Sequence, residues 1–255
     1  MNINRRDFLA ACGAFAATNS LAKPTKGLLG SEGISYVTEV GSKLPVPYVS
    51  DGIVAFWDGI FNAIDDEGAF VHDSMASTWL DLSGNGYDME VPAIGATWLA
   101  DSMSLVRAAM YARLPEVHRR QFTIECVGES SGSQGALVWM NNPSWIGGAL
   151  ICLQAPGICW YPWKEIGRIG KSFAGVSLKW REGHQALCVN GDVVAETFTA
   201  IDDRNVLSGF HIGEYYNAPC STARCCCVRL YDRELTDAEV AYNHQIDQER
   251  FGVGL

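Results

Sequence analysis

An oxygen-rich stretch, DLSGNGYD at 81–88, has the residue types and spacing that suit a metal ion. Alternate oxygens followed by a glycine, here Gly86, form the first half of a calcium loop, because the oxygens converge and glycine permits the sharp turn. Such a loop would supply its bidentate glutamate where this chain has Pro92, so the motif is incomplete. The candidate calcium ligands are Asp81, Ser83, Asn85 and Asp88. The preferred interpretation is a tight turn in which Asp81 and Asn85 hydrogen-bond their own backbone. The cofactor that this loop would otherwise bind is calcium.

Aromatic side chains cluster in two later segments, CWYPWK at 159–164 and NNPSWIGG at 141–148. Because Pro162 interrupts the alternation of the first segment, its rings cannot all enter a core, and flat exposed rings can stack on sugar faces. The candidate ligand-binding residues are Trp145, Trp160, Tyr161 and Trp163. The alternative is that these rings pack over the edge of the fold. The tryptophans assigned to the core are Trp57, Trp79, Trp98 and Trp180.

The carboxylates form no recognisable hydrolase pair. Glu125 and Glu129 share one face of a predicted strand, but four residues separate their backbones by roughly 13 Å. That separation is too large for a retaining pair unless the long side chains converge. The chain has no G-x-S-x-G elbow, and its five histidines lack metal-ligand spacing. Nothing in the sequence argues for catalysis, and nothing excludes it.

The first 22 residues have the features of an export signal. Arg5 and Arg6 precede an apolar run and a small-residue cleavage site that ends at Ala22. RRDFL resembles a twin-arginine signal, which a receptor reads as an address. LAAC, ending at Cys12, resembles a bacterial lipoprotein box but follows the arginines too closely for a normal hydrophobic segment. The run is too short to span a bilayer, so we expect a periplasmic, cell-surface or secreted chain that does not insert into a membrane.

Charge and length limit what the mature chain can be. Removing residues 1–22 takes away two arginines and one aspartate, which changes the formal net charge from −10 to −11. This acidic balance argues against nucleic acid or an anionic membrane surface as the partner. Residues 23–50 contain three prolines and are interpreted as a leader or linker. Residues 51–255 are assigned to one domain.

Eight cysteines follow the export signal. Cys152 and Cys159 are close enough for a disulfide loop in an oxidising compartment. Cys220, Cys225 and Cys227 are a candidate metal set, although no C-x-x-C pair supports it. The preferred interpretation is that the remaining cysteines are small core residues in strands. These are Cys126, Cys188 and Cys226.

Short β-prone runs separated by turn residues fill the chain from Asp51 to about residue 216, with no helical pattern between them. Asn190-Gly191 predicts a two-residue hairpin. VRLY at 228–231 alternates two aliphatic residues with an arginine and a tyrosine, which predicts a half-buried strand. A capping box of Thr236 and Glu239 then predicts the start of a terminal helix. The pattern is typical of a β-sandwich or jelly roll.

GIVAFWDGIFNA and WLDLSGNGYDMEV resemble the opening of bacterial LamG-like jelly-roll domains, in the concanavalin A-like lectin/glucanase superfamily. FTIECV, LCVNGDVVAE, FHIGEY and VRLYDRELTDAEVAYN resemble, in order, the family's later strands and closing helix. The resemblance covers about Asp51 to Asp247, and it is weak around 98–120 and 139–172. It implies an all-β fold, a two-sheet antiparallel jelly-roll sandwich with a short C-terminal α-helix.

The same resemblance implies a binding module more often than a catalyst. The superfamily includes glucanases, but their Glu-x-Asp-x-x-Glu strand is absent from this chain. We therefore expect an exported, non-catalytic recognition module whose partner is a glycan. Two alternatives stay open: a structural or adhesive surface protein that contacts proteins, and a glycoside hydrolase with an unrecognised site.

Overall fold

The computed structural model describes most of the chain between Leu44 and Gly254. The described residues are 44–118, 121–131, 136–141, 148–152, 158–160, 164–167, 169, 173–198, 206–215, 218–219 and 222–254. The strands are β1 (Ile53–Asp58), β2 (Ala63–Ile64), β3 (Phe70–Val71), β4 (Thr78–Trp79), β5 (Met89–Glu90), β6 (Ala96–Leu99), β7 (Ser102–Val106), β8 (Met110–His118), β9 (Gln121–Ser131), β10 (Ala136–Asn141), β11 (Gly148–Cys152), β12 (Ile158–Trp160), β13 (Lys164–Gly167), β14 (Phe173–Arg181), β15 (His184–Val189), β16 (Asp192–Thr197), β17 (Val206–Ile212), β18 (Glu214–Tyr215), β19 (Ala218–Pro219) and β20 (Thr222–Tyr231). They are followed by the helix α1 (Asp237–Phe251).

Two antiparallel sheets form the body of the protein. The eight-stranded sheet has the order β16-β15-β14-β9-β20-β7-β6, and β1 pairs with the second half of β20. The six-stranded sheet has the order β13-β12-β11-β10-β17-β8. Three short ladders, β2–β3, β4–β5 and β18–β19, accompany the two sheets. This arrangement confirms the predicted all-β sandwich with a C-terminal helix.

The core between the sheets is rich in tryptophan. Trp57 on β1 meets Phe210 on β17 with ring centroids 5.1 Å apart, so one contact joins the two sheets. Trp79 and Trp98 pack edge to face at 5.3 Å. The indole N–H groups of Trp57, Trp79 and Trp98 each donate to a backbone carbonyl at 2.9 Å, which removes the cost of burying them. These three and Trp180 are at most 8% exposed, which confirms their assignment to the core.

The hairpin between β15 and β16 is the predicted one. Asn190 and Gly191 have φ values of 52° and 86°, as a two-residue turn of this kind requires. The turn also packs closely against α1, since a Cβ at Gly191 would lie 3.0 Å from Cδ2 of His244 in the helix.

Helix α1 begins and ends at the predicted signals. The Thr236 hydroxyl accepts from the Glu239 amide at 3.2 Å, and the Glu239 carboxylate accepts from the Thr236 amide at 2.8 Å. Arg233 holds the same carboxylate at 2.6 Å. The helix ends at Gly252, which has left-handed backbone geometry. No helix within the described ranges is long and apolar enough to cross a membrane.

The last strand, β20, is buried on both faces, so the prediction of a half-buried strand is wrong. Arg229 is 1% exposed because α1 covers the face on which its side chain lies. Its guanidinium donates to Glu125 Oε2 at 2.9 Å and to both oxygens of Asp247 at 2.8 and 2.6 Å. Burial raises the pKa of Glu125, and Arg229 beside it acts in the opposite direction. This ion cluster ties α1 to the eight-stranded sheet.

A second buried guanidinium ties the segment before β1 to the same helix. Arg250 donates to both oxygens of Asp58 at 2.6 and 2.9 Å and to the Tyr48 hydroxyl at 2.8 Å. Tyr48 in turn donates to Asp247 at 2.7 Å, and its ring lies 4.0 Å from the Arg229 guanidinium. Residues 44–50, although assigned to the leader by sequence, therefore pack against α1.

Among the described side chains, five cysteines are buried without a disulfide: Cys126, Cys188, Cys225, Cys226 and Cys227. Their burial confirms the core assignment of Cys126, Cys188 and Cys226. Burial raises the pKa of Cys188 to about 12 and raises those of the other four as well. The side chains of Cys152, Cys159 and Cys220 lie outside the described residues.

Replacing Thr236 with alanine should lower the free energy of unfolding by about 1 kcal/mol, because the first turn of α1 loses its cap. Urea unfolding of the purified protein measures the change. Thr236→Ser keeps the hydroxyl and should recover most of the loss. Equal stability of Thr236→Ala and the wild type would contradict the role of the capping box.

Replacing Arg229 with methionine should lower the free energy of unfolding by about 3–5 kcal/mol, because two buried carboxylates lose their counter-charge. Glu125→Gln should cost less, since the neutral amide leaves Arg229 paired with Asp247. Guanidinium unfolding of both variants gives the comparison. A loss below about 1 kcal/mol for Arg229→Met would show that the cluster is solvated.

Candidate functional site

Three neighbouring strands of the six-stranded sheet place an aromatic row on the face that points away from the core. Trp139 on β10 lies opposite His211 on β17, and His211 lies opposite Tyr111 on β8. Neighbours such as Met140 and Phe210 are fully buried in the core. Because successive side chains of a strand point to opposite faces, Trp139, His211 and Tyr111 share what we call the outer face.

The aromatic row is continuous and graded in exposure. The His211 ring stacks on Trp139 with centroids 4.8 Å apart and planes inclined by 29°. Tyr111 lies on its other side, also at 4.8 Å and inclined by 49°. Trp139 is 3% exposed and His211 is 7% exposed, whereas Tyr111 is 47% exposed. The row therefore ends in a ring that solvent, or a ligand, can reach.

His211 adds a polar atom to the aromatic row. Its Nδ1 lies 3.2 Å from Oε2 of Glu214, and since a carboxylate can only accept, Nδ1 carries the hydrogen. In the tautomer with a hydrogen on Nδ1 alone, Nε2 is an acceptor, and this buried atom has no hydrogen-bond partner. Gly213 (φ 75°) makes the turn that brings Glu214 back to His211. Because Nε2 is shielded from solvent, a ligand hydroxyl could satisfy it only after the groups that cover it move.

Arg113 brings a positive charge to the same face. It follows Tyr111 by two residues on β8, so the two side chains leave the same side of the strand about 7 Å apart. Arg113 is exposed, and Gly209, opposite it on β17, adds no side chain to the face. The outer face thus combines an exposed ring, a buried acceptor and an exposed cation. Such a surface suits a polar ligand that also has apolar faces.

The aromatic ligand residues predicted from the sequence belong to the same sheet. Trp160 is the last residue of β12, opposite Lys164 on β13, and its side chain is not among those described. Tyr161 and Trp163 fall in the connection between these strands, and Trp145 in the connection between β10 and β11. These three lie outside the described residues.

The predicted calcium loop is a hydrogen-bonded turn around Asp81. Oδ1 of Asp81 accepts from the amides of Phe56 and Ser83 at 2.9 and 3.0 Å. Its Oδ2 accepts from the Ser83 hydroxyl and the Tyr87 amide at 2.9 and 3.1 Å. Asp88 accepts from the Asp81 amide at 2.7 Å. These bonds are of the kind that the tight-turn interpretation describes.

The side chain of Asn85 donates to the backbone of β1, at 2.8 Å from the Val54 carbonyl. Within the described ranges, no group of three or more His, Cys, Asp or Glu side chains is arranged to hold a metal ion.

Glu125, the first carboxylate considered for hydrolysis, lies beneath α1 and away from the outer face. It is 2% exposed. Oε1 accepts from Ser177 at 2.9 Å, and Oε2 accepts from Arg229 at 2.9 Å and Asn243 at 2.7 Å. Three donors and complete burial give this carboxylate a structural role in docking the helix.

Sequence reasoning missed the aromatic row. Trp139 and His211 fall within two of the short β-prone runs of the sequence, and each stands between apolar neighbours. That alternation was the available signal, because a histidine between two core residues must face outward. Tyr111 and Arg113 fall in a segment that resembles the family poorly, and no local pattern marked them.

Comparison with known proteins supports the fold but does not assign the chain to a family. No family model matches the chain, and no curated protein matches it. Among solved structures it is similar to a Trypanosoma rangeli sialidase bound to 2,3-difluorosialic acid, with a TM-score of 0.55 and 14% identity over 78% of this chain. The match spans 34% of the sialidase chain.

The chain is also similar to the binding domain of botulinum neurotoxin serotype D, with a TM-score of 0.53 and 12% identity over 77% of this chain. A protein described as the HCR/D W1238A mutant gives a TM-score of 0.57 and 12% identity over 78% of this chain. Each of these matches spans 52% of the matched chain. At such identities the likeness establishes a shared β-sandwich fold.

Replacing Asp81 with alanine should lower the free energy of unfolding by about 2 kcal/mol or more, because buried amides lose a charged acceptor. Since four protein donors already occupy this carboxylate, the loss should be the same with calcium and with chelator. Thermal unfolding under both conditions checks this. A calcium-dependent rise in the melting temperature that Asp81→Ala abolishes would instead establish the calcium loop.

Proposed function

We propose that the protein is an exported carbohydrate-recognition module that binds its glycan on the outer face of the six-stranded sheet. The observation that carries this proposal is the aromatic row, which ends in the half-exposed ring of Tyr111 beside the unpartnered Nε2 of His211. Sugars offer apolar C–H faces and hydroxyl donors together. An exposed ring next to a buried acceptor matches both.

The construction of the site favours binding over catalysis. Glu214 lies beside the aromatic row, but its carboxylate is engaged with His211. Glu125 is enclosed beneath α1. Glycoside hydrolysis in most families needs two carboxylates that flank the scissile bond. The register places a second carboxylate, Glu165 on β13, on the outer face, but four strand spacings, roughly 19 Å, separate its backbone from that of His211. A recognition module needs no such pair of carboxylates, only a surface that is complementary to its ligand.

The comparisons are compatible with this proposal and do not identify a ligand. One similar structure is a sialidase with a sialic acid derivative bound, and another is a toxin binding domain. The chain spans only a third to a half of these proteins, so their activities are not transferred to it. The LamG-like membership, the export signal of residues 1–22 and the aromatic residues Trp145, Trp160, Tyr161 and Trp163 form part of the same proposal.

Tyr111→Ala should weaken glycan binding about five-fold, as expected for the loss of a stacking ring worth about 1 kcal/mol. A glycan array with residues 23–255 identifies the ligand, and calorimetry then compares the variants. Phe198→Ala is the matched control, because Phe198 is 75% exposed beside β16 of the other sheet. It should leave the affinity unchanged, while both variants keep the wild-type melting temperature within a few degrees.

The same measurements separate the alternatives. Trp160→Ala and Trp163→Ala should each weaken binding if the connection between β12 and β13 extends the site. An intact protein that binds no glycan on the array would contradict the proposal and favour a surface module that contacts proteins. Release of reducing sugar from the bound glycan would favour a hydrolase.

A further inference from the structure

Five of the seven described arginines form ion pairs with carboxylates. These are Arg181, Arg224, Arg229, Arg233 and Arg250. Arg107 and Arg113 alone among the described arginines have none. The chain has 29 acidic and 19 basic residues, so an arginine without a carboxylate partner is unusual in this protein. Of the two, Arg113 is the one on the outer face.

The charge of Arg113 is not neutralised by the described carboxylate nearest the aromatic row. The Glu214 carboxylate is engaged by His211, the middle residue of the row. Arg113 lies opposite Gly209, two residues before His211 on β17, and no ion pair joins Arg113 to Glu214 or to any other described carboxylate. The guanidinium is therefore available to an anion from solution.

The position of Arg113 relative to Tyr111 relates that anion to the proposed sugar. The two residues lie on the same side of β8, about 7 Å apart at their backbones. A sugar ring stacked on Tyr111 would place a substituent within reach of the long Arg113 side chain. A guanidinium pairs with carboxylate or sulfate through two parallel N–H donors, which adds orientation to the charge attraction.

We infer that the saccharide bound on the outer face is anionic, carrying a carboxylate or a sulfate, and that Arg113 selects it. The inference rests on the proposed function and names its ligand class. In the proposed site His211 would accept a hydrogen bond from a hydroxyl group and Tyr111 would stack on a sugar ring. Neutral sugars also have both features. Arg113 provides the discrimination between an acidic sugar and its neutral counterpart.

The test measures the affinity of the wild type for three probes: an oligogalacturonide, a sulfated galactan oligosaccharide and the neutral galacto-oligosaccharide of equal length. One of the two anionic probes should bind about ten-fold more tightly than the neutral one, and the preference should shrink as salt is raised. The probe that binds distinguishes carboxylate from sulfate.

Arg113→Gln should reduce the affinity for that anionic probe about ten-fold and leave the neutral probe within two-fold. Arg107→Gln is the matched control, since it removes the other unpaired arginine, which lies in the connection between β7 and β8, and it should change neither affinity. Equal wild-type binding of anionic and neutral probes, or unaltered anionic binding by Arg113→Gln, would overturn the inference and leave the proposed function standing. Binding of no saccharide by the wild type would overturn both.

Discussion

The buried contact of Arg229 with Glu125 and Asp247 is the interaction on which the placement of α1 depends. A charge removed from water is tolerated only with its partners in place, so a helix that carries Asp247 cannot slide or rotate on the sheet without leaving charges unpaired. Replacing such a cluster by apolar residues often preserves stability, and its contribution is best understood as specifying one position of the helix.

Because of that position, the two sheets differ in what lies on the face that points away from the core. Both sheets alternate core side chains with side chains on the other face. In the eight-stranded sheet α1 covers part of the second face, and polar residues there, such as Ser177 and Lys179, bond to the network or to the helix. In the six-stranded sheet the second face carries the aromatic row. The proposed binding surface thus lies on the sheet whose second face α1 does not cover.

How far the sequence predicts the structure depends on how local each determinant is. The cap at Thr236, the hairpin at Asn190-Gly191 and the tryptophan core follow from neighbouring residues, and all three were predictable. The burial of Arg229 was not, because alternation assigns residues to faces without revealing that a distant helix covers one of them. The aromatic row combines β8, β10 and β17, and its register includes a bulge between Leu207 and Gly209. No local pattern encodes such a register.

The oxidation of the five described buried thiols depends on how often the fold opens. Oxidants and alkylating reagents attack the thiolate, and burial keeps these groups protonated and out of reach. In an oxidising solution the native fold is therefore the barrier that preserves them. Their loss can proceed only through molecules in which the sandwich has opened. The rate at which the reduced thiols are lost is then set by how often the two sheets separate, and not by the intrinsic reactivity of the cysteines.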